Sequence, residues 1–257
     1  MRFSAVTRAW LVLALSVLAP GLVAQTTPAP ADGRAIDWKK VIPAVASDQK
    51  RIWTFPLHAA RGKHWAPVLG IAAVTGAMIA ADPHEAPYFR RTGTYQGFNT
   101  VFNGRATHWG TLIAPASLYA AGLIRKDSYL QKTALLVGVA VADTAILTIV
   151  MKGATGRLRP RDVPAGGDFG DTWFQSKGGN WLRGRGSFPS GHTIAAFSVA
   201  TVISRRYPKH RRWLPYVAYG LAGVVGFSRV TLSAHFPSEV FAGAALGYSI
   251  SRYAVLR

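Results

Sequence analysis

Cysteine is absent from the 257-residue sequence, and acidic residues are scarce. The lack of cysteine excludes disulfide bonds, thiol nucleophiles and cysteine-ligated metal sites, and it is compatible with export to an oxidising compartment. Only 11 Asp and Glu residues stand against 30 Lys and Arg residues, which leaves a formal net charge of +19. This excess favours nucleic acid, an acidic membrane surface or phosphorylated small molecules as partners, unless it only forms a solvated basic surface or basic cytoplasmic loops.

Apolar runs long enough to cross a membrane are also few. Six apolar stretches, too long for typical strands, predict six helices and no sheet, at 66–81, 109–124, 133–151, 192–204, 213–227 and 239–250. A spanning helix needs about 20 apolar residues; most of these stretches are shorter, Asp143 interrupts the third, and mean hydropathy is only +0.16. Five glycines suit close helix packing inside or outside a membrane: Gly220, Gly223, Gly226, Gly243 and Gly247.

The N-terminus has the pattern of an export signal. Arg2 and Arg8 precede the apolar stretch AWLVLALSVLAPGLVA, which ends in small residues. This pattern predicts a signal peptide over residues 1–24, cut near Ala24, or an uncleaved signal anchor. We expect residues 25–64 to form a flexible leader and an amphipathic, membrane-surface segment, and residues 65–257 to form the main domain.

Basic residues are distributed unevenly among the expected loops. If the six helices run antiparallel, one face collects Arg125, Lys126, Arg205, Arg206, Lys209, Arg211 and Arg212. The positive-inside rule makes that face cytoplasmic, so the loops 152–191 and 228–238 are expected in the periplasm. A cleaved signal conflicts with this topology, because it leaves residue 25 outside, on the wrong side of the first helix. The signal is therefore an anchor, or one helix does not span, or the protein is soluble in the periplasm.

A first cluster of cations lies in the stretch KGATGRLRP. Lys152, Arg157 and Arg159 fall within eight residues, interrupted by Gly153 and Gly156. Guanidinium groups bind phosphate oxygens through paired donors, and lysine adds a point charge. The cluster predicts a site for one multiply charged anion, or else a basic loop beside a membrane.

A second motif, GSFPSGHT, occupies residues 186–193 and precedes an apolar stretch. The first turn of a helix has unpaired N–H groups and binds anions readily. Gly191 permits close backbone approach, Ser190 adds a hydroxyl donor, and His192 can give a proton to a departing oxygen. The alternative is an ordinary helix start with Ser190 as its cap.

A third motif, SRVTLSAHFPSEV, places Arg229 at the end of the fifth helix and His235 in the following loop. Pro237 suits the first turn of the sixth helix. Glu239 follows His235 by four residues, so its carboxylate can hold one imidazole nitrogen and leave the other as a nucleophile. The alternative is a His–Glu pair that only staples the loop.

The three motifs are expected to meet in space. In an antiparallel six-helix arrangement, the third and fifth helices end, and the fourth and sixth begin, at one face. The polar residues that converge there are Lys152, Arg159, Ser190, His192, Arg229, His235 and Glu239.

These motifs resemble the type-2 phosphatidic acid phosphatase superfamily, which includes bacterial lipid phosphate phosphatases, class A acid phosphatases and vanadium haloperoxidases. The resemblance rests on K-x6-RP at 152–160, PSGH at 189–192 and SR-x5-H at 228–235, with 28 and 35 residues between them. It covers about 133–250 and leaves residues 1–64 outside. It implies an all-α six-helix bundle of the phosphatidic acid phosphatase/haloperoxidase type, which we expect to be membrane-embedded.

The resemblance also implies metal-independent hydrolysis of a phosphomonoester or diphosphate, with no cofactor. His235 would be the nucleophile that forms a phosphohistidine, and His192 would protonate the leaving oxygen and then help to activate water. The groups that would hold the phosphoryl oxygens are Lys152, Arg159, Arg229, Ser190 and the Gly191 N–H. The family usually has Asp four residues after the nucleophile; Glu239 is one methylene longer and is expected to orient His235 with altered geometry.

Several functions fit these residues. The leading one is a cell-envelope phosphatase in the inner membrane, with a periplasm-facing site for a lipid phosphate or isoprenoid diphosphate. A soluble periplasmic non-specific acid phosphatase comes next, and a non-catalytic anion-binding membrane protein is a further alternative. The short chain disfavours a haloperoxidase, export disfavours nucleic acid, and a zinc site at His192 and His235 lacks a third ligand at the usual spacing. Oligomeric state stays open.

Overall fold

The computed structural model describes residues 34–60, 65–176, 186–207 and 212–257. Within these ranges the chain forms helices and turns and no β-strand, so the all-α prediction is confirmed. The expected signal peptide or anchor over residues 1–24 lies outside the described residues.

Eight α-helices occur in the described part of the chain. They are α1 (Val41–Ala60), α2 (Trp65–Arg91), α3 (Gln96–Val101), α4 (Gly104–Ile124), α5 (Ser128–Thr155), α6 (Gly191–Arg206), α7 (Leu214–Thr231) and α8 (Pro237–Ile250). Short 3-10 turns lie at Trp38–Lys40 and Pro160–Asp162, and a π-helical turn follows α8 at Ser251–Val255. The six predicted helices correspond to α2 and α4–α8, whereas α1 falls in the expected amphipathic segment and α3 was not predicted.

Local chemistry accounts for several helix ends. The Asn103 side chain accepts from the third N–H of α4, and Asp127 does the same for α5, each at 2.9 Å. Gly156 ends α5 in the left-handed conformation, with φ at 50°. Pro237 occupies the first position of α8, where it loses no helical hydrogen bond.

The helix α5 lies at the centre of the hydrophobic core. Leu136 and Val137 are fully buried, and apolar side chains of α1, α4, α6, α7 and the π-helical turn pack into the same cluster. Ile36 and Ala44 are members of this cluster. The packed unit therefore begins upstream of the boundary expected at residue 65, because α1 buries an apolar face in the core instead of only lying on a surface.

A buried polar cluster fastens α1 to α5 and to the C-terminus. Asp143, which interrupts the third apolar stretch, accepts a hydrogen bond from the Gln49 side chain at 2.9 Å. The neighbouring Asp48 pairs with Arg34 and, at 3.3 Å, with Arg257. Both carboxylates are fully buried, and these partners replace only part of the water that an exposed acid would have, since Asp48 Oδ1 and Asp143 Oδ2 accept no hydrogen bond from the described residues.

Small residues let α8 run directly against the backbone of α6. A Cβ added at Gly243 would lie 2.9 Å from the Ser190 carbonyl oxygen, and one at Gly247 would lie 2.4 Å from the Ile194 carbonyl oxygen. Gly226 also packs closely, since a Cβ there would lie 2.9 Å from Val240. The packing role predicted from sequence holds for these three glycines. It is wrong for Gly220 and Gly223, which have no described atom within 4 Å of an added Cβ.

Replacing Gly247 with alanine should lower the free energy of unfolding by about 1–3 kcal/mol, because the new methyl group overlaps backbone that cannot move aside. Thermal unfolding of the purified protein in detergent measures the effect. Gly220→Ala is the matched control: it meets open space, and alanine gains up to about 1 kcal/mol of helix propensity. Equal stability of the two variants would contradict the close α6–α8 packing.

Within the described ranges, two helices are long and apolar enough to cross a membrane. The helix α2 has a mean hydropathy of 1.5 with 6% of its apolar window buried, and Ser128–Asp162, which contains α5, has 2.3 with 56% buried. Burial of this extent in α5 also suits the core helix of a soluble protein. The helix α2 instead exposes most of its apolar surface, including Trp65, Leu69 and Ile71.

The end of the bundle where α5 begins is basic. Tyr129 in the first turn of α5 donates to the carbonyl of Arg206 at the end of α6, and the Arg206 guanidinium lies 3.9 Å from the Tyr129 ring centroid. Arg205 shares this end of α6. These described members of the predicted basic face therefore lie at the opposite end of α5 from Lys152, as the alternating arrangement requires.

Candidate active site

Four helix ends meet at the other end of the bundle. The C-terminus of α5, the N-terminus of α6, the C-terminus of α7 and the N-terminus of α8 are joined by backbone hydrogen bonds. These are Ser187 N to Arg157 O at 2.8 Å, Ser190 N to Glu239 O at 3.1 Å and His235 N to Arg229 O at 3.2 Å. All three sequence motifs thus contribute to one region.

His235 and Glu239 are in direct contact. The His235 Nδ1 lies 2.7 Å from Glu239 Oε2, and their side chains are 4% and 0% exposed. An ionised carboxylate only accepts hydrogen bonds, so Nδ1 carries the proton and Nε2 keeps its lone pair. Glu239 Oε2 also accepts from the Ser187 hydroxyl and, at 3.3 Å, from the Phe236 N–H. The carboxylate is therefore fixed on the side that faces the imidazole.

Cations surround the His235 imidazole. Burial lowers the pKa of His235 well below its usual range, and the positive charges of Lys152, Arg159 and Arg229 lower this pKa further. A neutral imidazole is the form that can act as a nucleophile. Arg161, which was not predicted, adds to the same field; its side chain is 49% exposed and its backbone N–H donates to Ser233.

Lys152 and Arg159 approach the site from the end of α5 and the turn after it. Lys152 lies in the last turn of α5, and Arg159 immediately precedes the turn Pro160–Asp162; both are half-buried. Gly186 packs against this end of α5, since a Cβ there would lie 2.2 Å from the Lys152 carbonyl oxygen. A glycine is required at this position to bring the second motif beside the first.

Arg229 and His192 are both held by the junction of α3 and α4. Arg229 is 1% exposed and donates to the Phe102 carbonyl and, at 2.8 Å, to the Ser228 hydroxyl. The His192 Nε2 lies 3.1 Å from the Gly104 carbonyl oxygen, which can only accept, so this nitrogen carries a proton. Phe102 and Gly104 contribute only their carbonyl oxygens, so no side-chain motif in the sequence could have identified them.

Ser190 occupies the N-cap position of α6 but does not cap it with its side chain. Its hydroxyl lies 2.8 Å from Thr193 Oγ1 and caps no backbone N–H of the first turn. The alternative interpretation of Ser190 as a side-chain cap is therefore wrong, because its hydroxyl bonds to the Thr193 hydroxyl instead. Ser190 is fully buried, and Gly191 begins the helix beside it.

Arg157 was expected to bind an anion together with Lys152 and Arg159, but the structure pairs it with carboxylates. It is 1% exposed and contacts Asp82 Oδ2 at 2.7 Å and Glu239 Oε1 at 3.3 Å. Its partners in the structure are carboxylates, so the idea that all three cations of the first motif bind one anion is wrong for Arg157. Sequence spacing could not identify Asp82, which lies 75 residues earlier on α2.

Metal ligands do not cluster in the described part of the chain. No group of three His, Asp or Glu side chains there could hold a metal ion. The zinc alternative therefore gains no third ligand for His192 and His235 within these residues.

We expect kcat/KM to fall as the pH decreases through about 7. Burial raises the pKa of Glu239 to about 7, against the opposing effect of Arg157. Protonation of this carboxyl removes the acceptor for His235 Nδ1–H, and the raised pKa means that this loss occurs at higher pH than for an exposed acid. His235 stays neutral over the same range because its pKa is lowered, so the acid limb reports the carboxyl or the coupled pair.

A pH–rate profile between about pH 5 and about pH 9 measures this limb. The profile of Glu239→Gln should lack this acid limb. With a phosphomonoester as substrate, it should show only the second ionisation of the phosphate, at about pH 6. Activity that increases towards pH 5 would contradict the assignment.

Known proteins are similar in sequence to the part of the chain that contains these residues. A family model described as the PAP2 superfamily matches residues 133–256. A lipid A 1-phosphatase from Rhizobium johnstonii is 30% identical over 155 residues, which are 60% of this chain and 56% of that protein. A phosphatidylglycerophosphatase B from Bacillus subtilis is 40% identical over 68 residues, 24% of this chain and 34% of that protein. The chain thus spans little more than half of the first relative and about a third of the second.

A solved structure is also similar. The crystal structure of a transmembrane PAP2 type phosphatidylglycerolphosphate phosphatase from Bacillus subtilis aligns with 80% of this chain and 92% of that chain, with 24% sequence identity and a TM-score of 0.45. The family match spans all three motifs, from Lys152 to Glu239, and confirms the resemblance deduced from them. Just under half of this chain, residues 133–256, is therefore similar to the PAP2 superfamily.

Proposed function

We propose that the protein is a metal-independent phosphatase that hydrolyses a lipid phosphate or isoprenoid diphosphate through a phosphohistidine on His235. The observation that carries this proposal is the buried His235–Glu239 pair, with Nδ1 bonded to the carboxylate at 2.7 Å and cations around the ring. A His–Glu pair that only stabilises the loop would not need cations around the imidazole. A non-catalytic anion site needs no oriented, neutral imidazole.

The first chemical step forms a bond from His235 Nε2 to phosphorus and breaks the bond from phosphorus to the leaving oxygen. The leaving oxygen takes the proton of His192, whose Nε2–H donates to Gly104 O in this structure. Glu239 stabilises the positive charge that develops on the His235 ring. A water molecule then attacks the phosphohistidine, gives its proton to His192 and releases inorganic phosphate with His235 regenerated.

The cations stabilise the phosphoryl group during both steps. Lys152, Arg159 and Arg229 offer positive charge to the three equatorial oxygens, which carry the charge in phosphoryl transfer. The Ser190 hydroxyl and the Gly191 N–H at the start of α6 are further donors to these oxygens. Because the donors belong to helix ends joined by backbone hydrogen bonds, they need little reorganisation.

The substrate we propose is lipid-linked, and the site faces the periplasm from the inner membrane. The Rhizobium johnstonii relative is named a lipid A 1-phosphatase and the Bacillus subtilis relative a phosphatidylglycerophosphatase B, so both names refer to lipid phosphates. The exposed apolar surface of α2 suits contact with lipid. The basic end of the bundle, opposite the site, suits the cytoplasmic side.

A substrate panel with purified protein tests this function. We expect phosphatidic acid, phosphatidylglycerol phosphate, lipid A and undecaprenyl diphosphate to include a substrate whose kcat/KM exceeds that of a soluble monoester at least about 100-fold. Turnover should be unchanged by EDTA. Preference for the soluble monoester, together with release of activity from membranes by carbonate, would instead support a soluble periplasmic acid phosphatase.

His192→Ala should lower kcat for the hydrolysis of alkyl phosphates about 10²- to 10⁴-fold, because their leaving oxygens need a proton. An aryl phosphate with a good leaving group should lose much less. Comparing kcat for the two substrates measures the difference, with His84→Ala on the exposed part of α2 as the matched control. Equal losses for both leaving groups would refute the role of His192 as the acid.

A further inference from the structure

A buried chain of charged groups lies behind the catalytic pair. It runs from Asp82 on α2 through Arg157 after α5 to Glu239 in the first turn of α8. The three side chains are at most 1% exposed. Burying three charges is costly unless they are paired and hydrogen-bonded, so each contact in this chain matters.

Arg157 is fully used by protein groups. Its guanidinium donates to Asp82 Oδ2 at 2.7 Å, to the Ser238 hydroxyl at 3.1 Å and to the Thr172 hydroxyl at 3.2 Å. Two aromatic rings cover it, with centroids 4.0 and 4.5 Å from the guanidinium carbon. These rings belong to Phe236 and Trp173. With these contacts and 1% exposure, the side chain offers almost no accessible surface to a phosphoryl group.

The Glu239 carboxylate is shared between two tasks. Oε2 faces His235, Ser187 and the Phe236 N–H, whereas Oε1 has no hydrogen bond in the described residues and lies 3.3 Å from Arg157. The ion pair with Arg157 is therefore the main stabilising contact of Oε1. It fixes the rotation of the carboxylate that the His235 contact alone would leave free.

Asp82 anchors Arg157 and the start of α8 together. Its Oδ1 accepts from the Ser238 N–H at 3.2 Å, and its Oδ2 accepts from the Ser238 hydroxyl and from Arg157. Ser238 immediately precedes Glu239 in the chain. The Asp82 carboxylate of α2 thus contacts both Arg157 and the start of α8, where Glu239 is located.

We propose that Arg157 is a positioning residue that keeps Glu239 ionised and aimed at His235, and that Asp82 holds Arg157 in place from α2. The role rests on the proposed phosphohistidine function. It assigns to Arg157 no contact with substrate, unlike Lys152, Arg159 and Arg229. It also links the largely exposed helix α2 to the partner of the nucleophile through two buried ion pairs, Asp82–Arg157 and Arg157–Glu239.

Arg157→Gln tests the role. We expect kcat to fall about 10- to 100-fold, the range found when a partner that orients a functional His is lost. KM should stay within about twofold, because substrate binding groups are untouched. The acid limb of the pH profile should move to higher pH, since loss of a neighbouring cation raises the pKa of Glu239.

Arg157→Lys should restore part of kcat and return the acid limb towards the wild-type position, since it keeps the charge but not the paired donors. Asp82→Asn should reduce kcat in the same direction and by a smaller factor. Arg90→Gln is the matched control, because Arg90 is an exposed cation of α2 that contacts only the Phe169 ring among the described residues. It should leave kcat and the profile unchanged.

Nitrogen NMR of the His235 ring provides a readout that does not depend on turnover. In wild-type protein the Nδ1–H tautomer should persist down to about pH 7, and in Arg157→Gln it should be lost at higher pH. If the Gln variant does not fold, the Lys variant is measured instead, with the smaller shift expected. Absence of wild-type phosphatase activity with this shift present would count against the proposed function but not against the positioning role.

Two results would overturn the proposal. A raised KM with unchanged kcat in Arg157→Gln would make Arg157 a substrate ligand. A lower unfolding temperature with the pH profile and the His235 tautomer unchanged would make it a purely structural ion pair.

Discussion

Replacing His235 with alanine should lower phosphate release from every substrate about 10⁴-fold or more, equivalent to about 5 kcal/mol of transition-state stabilisation. The variant loses the Nε2 lone pair that attacks phosphorus in the proposed reaction, and it also loses the contact of the ring with Glu239. The cations remain, so phosphate and lipid phosphates should still bind. We therefore expect the loss in kcat, with little change in the affinity for phosphate.

The matched control for this variant is His58→Ala. His58 is exposed on α1, where its Nδ1 lies 2.8 Å from the Thr54 carbonyl oxygen. It should retain wild-type kcat. Retained turnover in His235→Ala, with a normal unfolding temperature, would refute the nucleophile assignment.

Glu239→Gln should lower kcat about 10³-fold, and Glu239→Asp about 10- to 100-fold. The amide of Gln cannot hold the Nδ1–H tautomer as a carboxylate does, and substitution of the corresponding acid by its amide in serine proteases costs about 10⁴-fold. Asp keeps the charge but is shorter by about 1.5 Å. It cannot keep the 2.7 Å contact with His235 and the 3.3 Å contact with Arg157 together.

The Asp variant distinguishes two explanations of the longer side chain. If the pocket is built around Glu239, the family's usual residue should be inferior here, and the loss should shrink in the Arg157→Gln background because both changes disturb the same contact. Wild-type activity of Glu239→Asp would show that the extra methylene is neutral. The single-turnover rate constants of the wild-type protein and the variants on one lipid phosphate provide the comparison.

The helices and their convergence could be predicted from the sequence because both depend on local pattern. Apolar stretches of helical length marked α2 and α4–α8, and alternating direction then placed the ends of the three motifs together. The four-residue spacing of His235 and Glu239, about the length of one helical turn, predicted their contact, although His235 lies just before α8. The roles of these residues in phosphoryl transfer stay predictions.

Contacts between distant segments could not be predicted. Asp82 lies in an apolar helix with no motif around it, and only the folded chain brings it to Arg157. The burial of α1 was missed because its charged and aromatic residues resemble a surface helix, whereas Ala44 reaches the core and Val45 and Ile52 pack against it. The Ser190 hydroxyl bonds to the Thr193 hydroxyl instead of accepting from an N–H of α6, and the sequence does not determine which of these neighbouring partners it takes.

Trapping of the covalent intermediate tests the central claim most directly. Purified protein is mixed with a lipid phosphate labelled with ³²P and is quenched in denaturing alkali, in which a phosphohistidine survives. The account predicts label on the peptide that contains His235, its loss on mild acid treatment, and no label in His235→Ala. Rapid turnover of the same substrate by the wild-type protein without any label on His235 would contradict it.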